Sequence, residues 1–495
     1  MTVNDGIDRL RRQPATAGPT LFEREARVLT TETGEQVPYE IGALVVPEVR
    51  GDPSSRMIRV GFARIPSQAG AGALPTFHLA GGPGSSHLGA LDPRTEAERM
   101  KLRELLPYRA VGDVVILDQR GYSQRGEVLG FSIQAGDVPL DRPACRAAAT
   151  DAFVEVARAA VAANPGRDLS GYNVLECADD VNDLRVALGY SRIILVGQSF
   201  GSQWSLAVMR RHPGLVARAM MSGLEPLDHA YDMPSHIFAA LQRLAWDADR
   251  DPRLAPWLPA GGLMEAVRAI RARLALGPVA VVVRDEVGRQ EAEVVLGAED
   301  FQQVLLRPAE VWPATILSIY HTHYEAWARD VVRGRRRGDG KDALIKPLID
   351  TSLGVTPARE HLLRTDPAGD LLGWWDFDAY AASAAAWPSP DVGDSFRTPV
   401  LDSTPVVFIS GDWDIATPIE NMLGLLPYFP NSRAVLVHRG PHAARAILAE
   451  RRSPVIDAVL EFLRTGELHD LPVSVDLPVP QFDLPDFPAP APSAP

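Results

Sequence analysis

Ser199 stands in Gly197-Gln198-Ser199-Phe200-Gly201. A serine hydroxyl is a weak nucleophile at neutral pH. It needs a base within hydrogen-bond reach, and the base needs a carboxylate to orient it. The tetrahedral oxyanion that follows attack needs two N–H donors aimed at it. Each requirement has candidates further along the chain. In a parallel sheet that carries a Gly-x-Ser-x-Gly turn, the carboxylate and then the histidine follow the serine in chain order. Asp412 and Asp414, in Gly411-Asp412-Trp413-Asp414, both sit just beyond an apolar run. Asp414 lies further into the turn, before Ala416-Thr417-Pro418, and is preferred; Asp412 is expected to bond the amides of its own turn. His442, in Gly440-Pro441-His442-Ala443, lies in a loop ahead of a helix and is the preferred base. His438 closes a strand and reads as structural, and His469 lies in the tail. For the oxyanion, Phe200 supplies the N–H after the nucleophile. Gly82, in Gly81-Gly82-Pro83-Gly84, supplies the second, because glycine lets backbone approach a substrate closely. Pro83 has no N–H, and a cis Gly82–Pro83 bond suits this turn. A phosphate-binding loop would end in Gly-Lys-Ser/Thr, which this one lacks.

These groups can meet only if the chain brings them to one edge of a sheet. Ile193-Ile194-Leu195-Val196 is an apolar, β-branched run of the kind buried on both faces, and residues 203–212 read as the helix after the turn. Strand, sharp turn and helix lift Ser199 clear of the sheet at a helix N-terminus, where negative charge is favoured. Before it come three extended segments, Ala26–Thr31, Val37–Val46 and Met57–Ile65, punctuated by turn residues and read as an antiparallel start. Short strands follow at Pro75–Leu79 and Val114–Leu117, with helices over Ala144–Ala163 and Leu175–Leu188. The next strand is Ala217–Ser222. This alternation predicts a doubly wound, mostly parallel α/β sheet. Between Leu227 and Arg397 helical patterns dominate: Ser235–Asp247, Leu263–Leu276 and one long run from Val311 to Arg336, with a β-like pair at Val279–Val283 and Ala292–Leu296. That stretch reads as a helical cap over the active edge. The sheet resumes at Thr404–Ser410, Ala434–Val437 reads as its last strand, and Pro454–Leu463 as the last helix. The expected division is therefore core over 1–226, cap over 227–397, core again over 398–466, and a Pro-rich extended tail over 467–495.

Composition narrows the classes of partner. The 495 residues carry a net charge of −13, which argues against nucleic acid or an anionic membrane surface. The basic run Arg333-Gly334-Arg335-Arg336-Arg337 reads as a solvated loop. Only two cysteines occur, Cys145 and Cys177, too few for a disulfide framework and without metal-ligand spacing, so neither a metal nor another cofactor is expected. No segment is apolar enough to span a membrane, and Met1–Thr20 lacks the apolar core of a secretory leader, so a cytoplasmic protein is expected. Glu225, Asp228 and Asp232 follow the strand after the nucleophile, where the cap begins. Glu225 and Asp232 there are candidates for holding a protonated amine. Trp374, Trp375 and Trp387 read as packing between cap and core, the alternative being the lining of an apolar pocket in the cap.

Four motifs together resemble a known family. Gly81-Gly82-Pro83-Gly84, Asp118-Gln119-Arg120-Gly121, Gly197-Gln198-Ser199-Phe200-Gly201 and Gly411-Asp412-Trp413-Asp414-Ile415-Ala416-Thr417-Pro418 occur in the order seen in α/β-hydrolase-fold aminopeptidases of the proline iminopeptidase and tripeptidyl aminopeptidase group. The stretch from Ala178 to Arg185 through Gly223-Leu224-Glu225-Pro226 is most similar to the tripeptidyl branch. The resemblance covers the sheet and hardly touches the cap or tail. It implies the α/β-hydrolase fold, a triad of Ser199, Asp414 and His442, an oxyanion hole of Gly82 and Phe200, and a cap that admits peptide N-termini. Two alternatives share the scaffold: an esterase, lactonase or amidase for a small non-peptide compound, and a binding module without catalysis. Epoxide- or haloalkane-opening chemistry on this fold normally uses a carboxylate nucleophile, against which Ser199 argues.

Overall fold

A computed structural model describes residues 21–70, 72–133, 139–284, 291–336, 340–369 and 377–490. The N-terminal arm, Trp374, Trp375 and Arg337 lie outside the described residues. Fourteen strands follow in chain order: β1 (Leu21–Thr30), β2 (Gln36–Pro47), β3 (Met57–Ile65), β4 (Thr76–Leu79), β5 (Val114–Leu117), β6 (Gly130–Ile133), β7 (Ile193–Ser199), β8 (Val216–Leu224), β9 (Val279–Arg284), β10 (Glu291–Leu296), β11 (Gly340–Ala343), β12 (Val406–Gly411), β13 (Ser432–His438) and β14 (Ser474–Asp476). Ten of them form one sheet in the order β1-β2-β3-β5-β4-β7-β8-β12-β13-β14. β1, β2 and β3 run antiparallel, and from β5 to β14 every neighbouring pair is parallel.

Strand residues alternate between two apolar layers, as a period of two requires. Phe62, Phe77, Leu195 and Phe408 pack on one face with the helix Val174–Ala187. Ala63, Ile116, Ile194 and Val407 pack on the other with the helix Pro454–Thr465. The chain leaves β4 for β5 on one side and crosses back to β7 on the other. Such a switch in strand order opens a crevice at the carboxyl ends of the strands. The loop after β4 and the turn after β7 are neighbours there, with Leu79 opposite Gly197.

The segment between β8 and β12 forms its own helical layer. Pro234–Ala248, Leu263–Leu276, Ala298–Leu305, Trp312–Tyr320 and Glu325–Arg335 surround a cluster that includes Ile237, Phe301, Trp312 and Trp327. The β9–β10 hairpin joins it as expected. The long helix expected over Val311–Arg336 is instead two helices, because Thr322 takes φ 69° and its neighbours turn away: His321 Nε2 lies 2.8 Å from Trp257 O, and the His323 ring stacks on Phe487. Arg333, Gly334 and Arg335 are helical, not a solvated loop; Arg335 is buried and bonds Asp300 Oδ1 at 2.7 Å and two carbonyls of the 139–142 loop. Part of the inserted segment also returns to the sheet: Leu344, Ile345, Leu348 and Leu353 belong to the layer under β4 and β7. β13 is not the last strand, since β14 from the Pro-rich tail pairs beside it. Cys145 is exposed, Cys177 is buried, and both are free.

Candidate active site

Ser199 closes β7 and caps the helix Phe200–Arg211 with φ 57° and ψ −131°, a conformation few side chains adopt. The surrounding glycines leave room for it. A Cβ on Gly197 would stand 2.2 Å from Gly201 O, and one on Gly201 would stand 2.1 Å from Leu79 O. The turn is therefore clamped between β4 and its own helix, and Ser199 remains partly accessible. Ser202, one turn into the helix, donates to Ser199 O at 2.6 Å and accepts from Glu225 N at 3.0 Å. One hydroxyl thus couples the nucleophile turn to the segment bearing Glu225.

The loop after β4 lies across the turn. A Cβ on Gly81 would lie 3.1 Å from Ser199 Cβ and 3.6 Å from Ser199 Oγ. The Gly82–Pro83 bond is cis, and Gly82 takes φ 110°. Gln119, from Asp118-Gln119-Arg120-Gly121, fixes the loop: its amide donates to Gly81 O at 2.9 Å and Ala80 O at 3.2 Å, and accepts from Gly84 N at 2.7 Å. The Gly82 N–H donates to no acceptor among the described residues, and Phe200 N begins the helix, so both expected donors stand at this edge. Buried Asp118 accepts from Ser86 Oγ, Ser123 Oγ and Gln124 N, and burial raises its pKa to about 7.

Asp414 and His442 meet as expected, with His442 Nδ1 2.9 Å from Asp414 Oδ2. Asp414 is buried, and its other bonds come from its own turn: Ala416 N and Thr417 N at 2.9 Å each to Oδ1, and Thr417 Oγ1 at 2.6 Å to Oδ2. Trp413 and Ile415 on either side pack into the helical layer, which holds the turn from above. With Nδ1 committed to Asp414, Nε2 is the nitrogen left to act as a base. Burial pulls the His442 pKa down, but the hydrogen bond and charge of Asp414, with the charge of Asp232, outweigh it and hold it above the ordinary imidazole value. A Cβ on Gly223, next to Ser199's strand partner Leu224, would lie 3.1 Å from His442 Cε1. The imidazole therefore lies over the end of β8, next to the strand partner of Ser199. No hydrogen bond joins it to Ser199 Oγ among the described residues. In free enzymes such bonds are often long and tighten only around substrate.

Asp412 differs from expectation. It pairs with His438, Oδ2 to Nδ1 at 2.6 Å, and accepts from Arg439 N at 2.7 Å, stitching β12 to β13 instead of bonding its own turn.

Glu225 and Asp232 lie within reach of each other's charge, and Asp232 within reach of His442. Both are partly buried. Asn421 Nδ2 donates to Asp232 Oδ1 at 2.7 Å and to Leu224 O at 3.2 Å, tying Asp232 to the end of β8. Burial raises Asp232 to about 7, and burial together with the charge of Asp232 pushes Glu225 well above the ordinary carboxylate range. Asp228 lies apart, 3.4 Å from His229. Thr417 and Asn421 are not singled out by the sequence; a Thr three residues after an Asp in a turn is the signal that could have found the first. No group of three His, Cys, Asp or Glu among the described residues can hold a metal.

A family model described as "alpha/beta hydrolase fold" matches residues 79–256, and one described as "TAP-like protein" matches residues 375–474. Similar solved structures include a thermophilic esterase from Thermogutta terrifontis, at 14% identity over 89% of this chain and 100% of the other, with a TM-score of 0.35. A Vigna radiata epoxide hydrolase mutant has 14% identity over 86% and 98%, TM-score 0.36. A bromoperoxidase from Bacillus anthracis has 14% over 85% and 99%, TM-score 0.35. No curated protein matches the chain.

Proposed function

For this chain, a member of the α/β-hydrolase superfamily, we propose a serine hydrolase that removes N-terminal residues or short peptides from peptide substrates through an acyl-enzyme. Ser199 Oγ attacks the scissile carbonyl while His442 Nε2 takes its proton. The N–H groups of Gly82 and Phe200 hold the oxyanion. The C–N bond breaks as His442 returns the proton to the leaving amine, and water then cleaves the ester by the same route. Asp414 orients the imidazole and stabilises its charged form.

One observation supports the aminopeptidase reading above others. Asp232 sits close enough for its charge to act on both His442 and Glu225. A substrate α-ammonium held by the two carboxylates would lie a short reach from the nucleophile. It would also add positive charge to that of Lys346, which acts on Glu225, and of Arg359, which acts on Asp232; burial outweighs both in the free protein. The match of the second family model to residues 375–474 agrees with a peptidase. A second reading has its own support: burial raises the pKa of both carboxylates, and a pocket that disfavours charge suits a neutral ester, lactone or amide.

Peptide p-nitroanilides with free and acetylated N-termini decide between them. The aminopeptidase reading expects hydrolysis of the free form and a loss of at least ~100-fold on acetylation, a buried charged pair being left half-made. Equal rates on both, or a Glu225→Gln variant indifferent to the substrate's charge, would leave the esterase reading standing.

A further inference from the structure

Behind the nucleophile turn lies a buried polar cluster that the reaction scheme does not use. At its centre is Arg445, three residues after His442 and in the first turn of the helix Ala444–Glu450, with only 4% of its surface exposed. Its guanidinium donates from Nε to Ser222 Oγ at 3.0 Å, from Nη1 to Tyr108 OH at 3.3 Å, and from Nη2 to Gln198 Oε1 at 3.2 Å. Nη1 also pairs with Glu104, which accepts from Lys101 at 2.5 Å. Gln198 is the residue before Ser199, and its side chain faces both ways. While Oε1 accepts from Arg445, Nε2 donates to the carbonyl of His442 at 3.1 Å.

A buried guanidinium destabilises the fold unless every N–H finds a partner. Simple packing would use an apolar residue here. The partners found instead join β8 through Ser222, the nucleophile turn through Gln198, and the histidine loop through both ends of the same network. We propose that Arg445 and Gln198 are positioning residues that set the distance between the His442 imidazole and the Ser199 hydroxyl. Asp414 fixes the rotation of the ring, but nothing in that pair fixes how far the loop stands from β7. The bond from Gln198 to the His442 carbonyl does, and Arg445 holds Gln198 in the rotamer that makes it. The proposal rests on the roles given above to Ser199 and His442.

The test compares rates of labelling by a fluorophosphonate, and kcat and KM on a free-amine anilide, for the wild type, Gln198→Ala, Gln198→Glu and Arg445→Lys. Gln198→Glu keeps an acceptor for Arg445 but loses the donor to His442. Both Gln198 variants are expected to label and turn over ~10- to 100-fold more slowly, with KM within about twofold, since a small misplacement of a catalytic group costs this much. The thermal midpoint of Gln198→Glu should stay near that of the wild type, because it keeps the acceptor for Arg445, whereas Gln198→Ala, which strips that acceptor from a buried guanidinium, should melt lower. Should Arg445→Lys fail to fold, the Gln198 pair still decides the matter. Wild-type labelling rates in Gln198→Ala, alongside no labelling of Ser199→Ala, would overturn the positioning role and leave the hydrolase intact. Absence of labelling in the wild type would instead overturn both.

Discussion

Asp414 accepts four hydrogen bonds, two from backbone amides, one from Thr417 and one from His442. Only the last bears on the reaction; the others hold the carboxylate so that it has one orientation to offer. Asp414→Asn keeps the shape and removes the charge. Burial then dominates at His442 and its pKa falls. The neutral imidazole is the active form, so the acidic limb of kcat/KM against pH should move to lower pH, while kcat drops on the order of 10⁴-fold through the wrong tautomer. A limb that stays put or moves up would contradict this assignment. The stability linkage has a matching sign. A histidine whose folded pKa is raised lends stability below its unfolded pKa and loses it as pH rises through the folded one. Asp414→Asn should therefore lower the melting temperature more at acidic than at alkaline pH. Asp232 works the other way. Its proton is held up to about 7, so on the aminopeptidase reading proposed above an ammonium substrate must drive it off, and KM for free-amine anilides should fall as pH rises through about 7. The trend should flatten in Asp232→Asn and be absent for acetylated substrates. Because ionised Asp232 is a cost to the fold, the same variant should melt higher than the wild type above that pH, and the two should converge at acidic pH.

Among the elements, the strands that carry the chemistry were legible because each is a β-branched run closed by glycine or a turn. β5 and the start of β7 fall where the pattern puts them, and the cis Gly82–Pro83 bond follows from the need for a tight turn with one missing donor. What failed was the length of helices in the inserted segment. Apolar spacing continues through residues 312–332, and only contacts from Trp257 and Phe487 reveal why the chain bends at Thr322. Gln198, Arg445 and Asn421 were unreadable for the same reason: their side-chain partners lie from 189 to more than 330 residues away. Arg120 sits between these cases, visible as a motif but not as a function. It is wholly buried, donates to both oxygens of Asp180 and to the carbonyls of Glu48 and Gly171, and so pins the chain after Gln119 to the helix Val174–Ala187. Arg120→Met leaves Asp180 buried, though Arg50 still reaches it at 2.5 Å. The expected loss is near the lower end of the ~3–5 kcal/mol for breaking a buried pair, read from the urea midpoint. A change under about 1 kcal/mol would mean that Arg50 alone satisfies Asp180.

Across the whole molecule, the Pro-rich tail joins the sheet to the helical layer; the two also meet where Arg243 donates to Asp412 O and Arg439 to Asp247. Its first part extends the sheet: β14 lies beside β13, Leu477 N donates to His438 O at 3.0 Å, and Arg439 Nη1 donates to Leu477 O at 3.0 Å. Its second part leaves the sheet for the helical layer. Phe482 is buried in the same cluster as Trp312, Trp327 and Trp413, Asp483 N donates to Glu310 O at 2.9 Å, and Phe487 stacks on His323 with centroids 3.8 Å apart. Proline suits such a path, because an extended segment that no longer pairs has no use for the missing N–H. Trp413 belongs both to this cluster and to the turn that holds Asp414, with Ile415 packed against the same cluster, so the packing of the tail reaches the Asp414 turn. Phe482→Ala should cost ~3–5 kcal/mol if it opens a cavity in a rigid core. The loss should not be spread evenly. Hydrogen exchange is expected to rise in Pro234–Ala248 and Glu325–Arg335 and in the Asp414 turn, while β4, β5 and β7 keep their protection, since their apolar layers lie on other faces. Uniform loss of protection across sheet and helices would show that the two layers unfold as one unit, and that the tail fastens no separable part of the molecule.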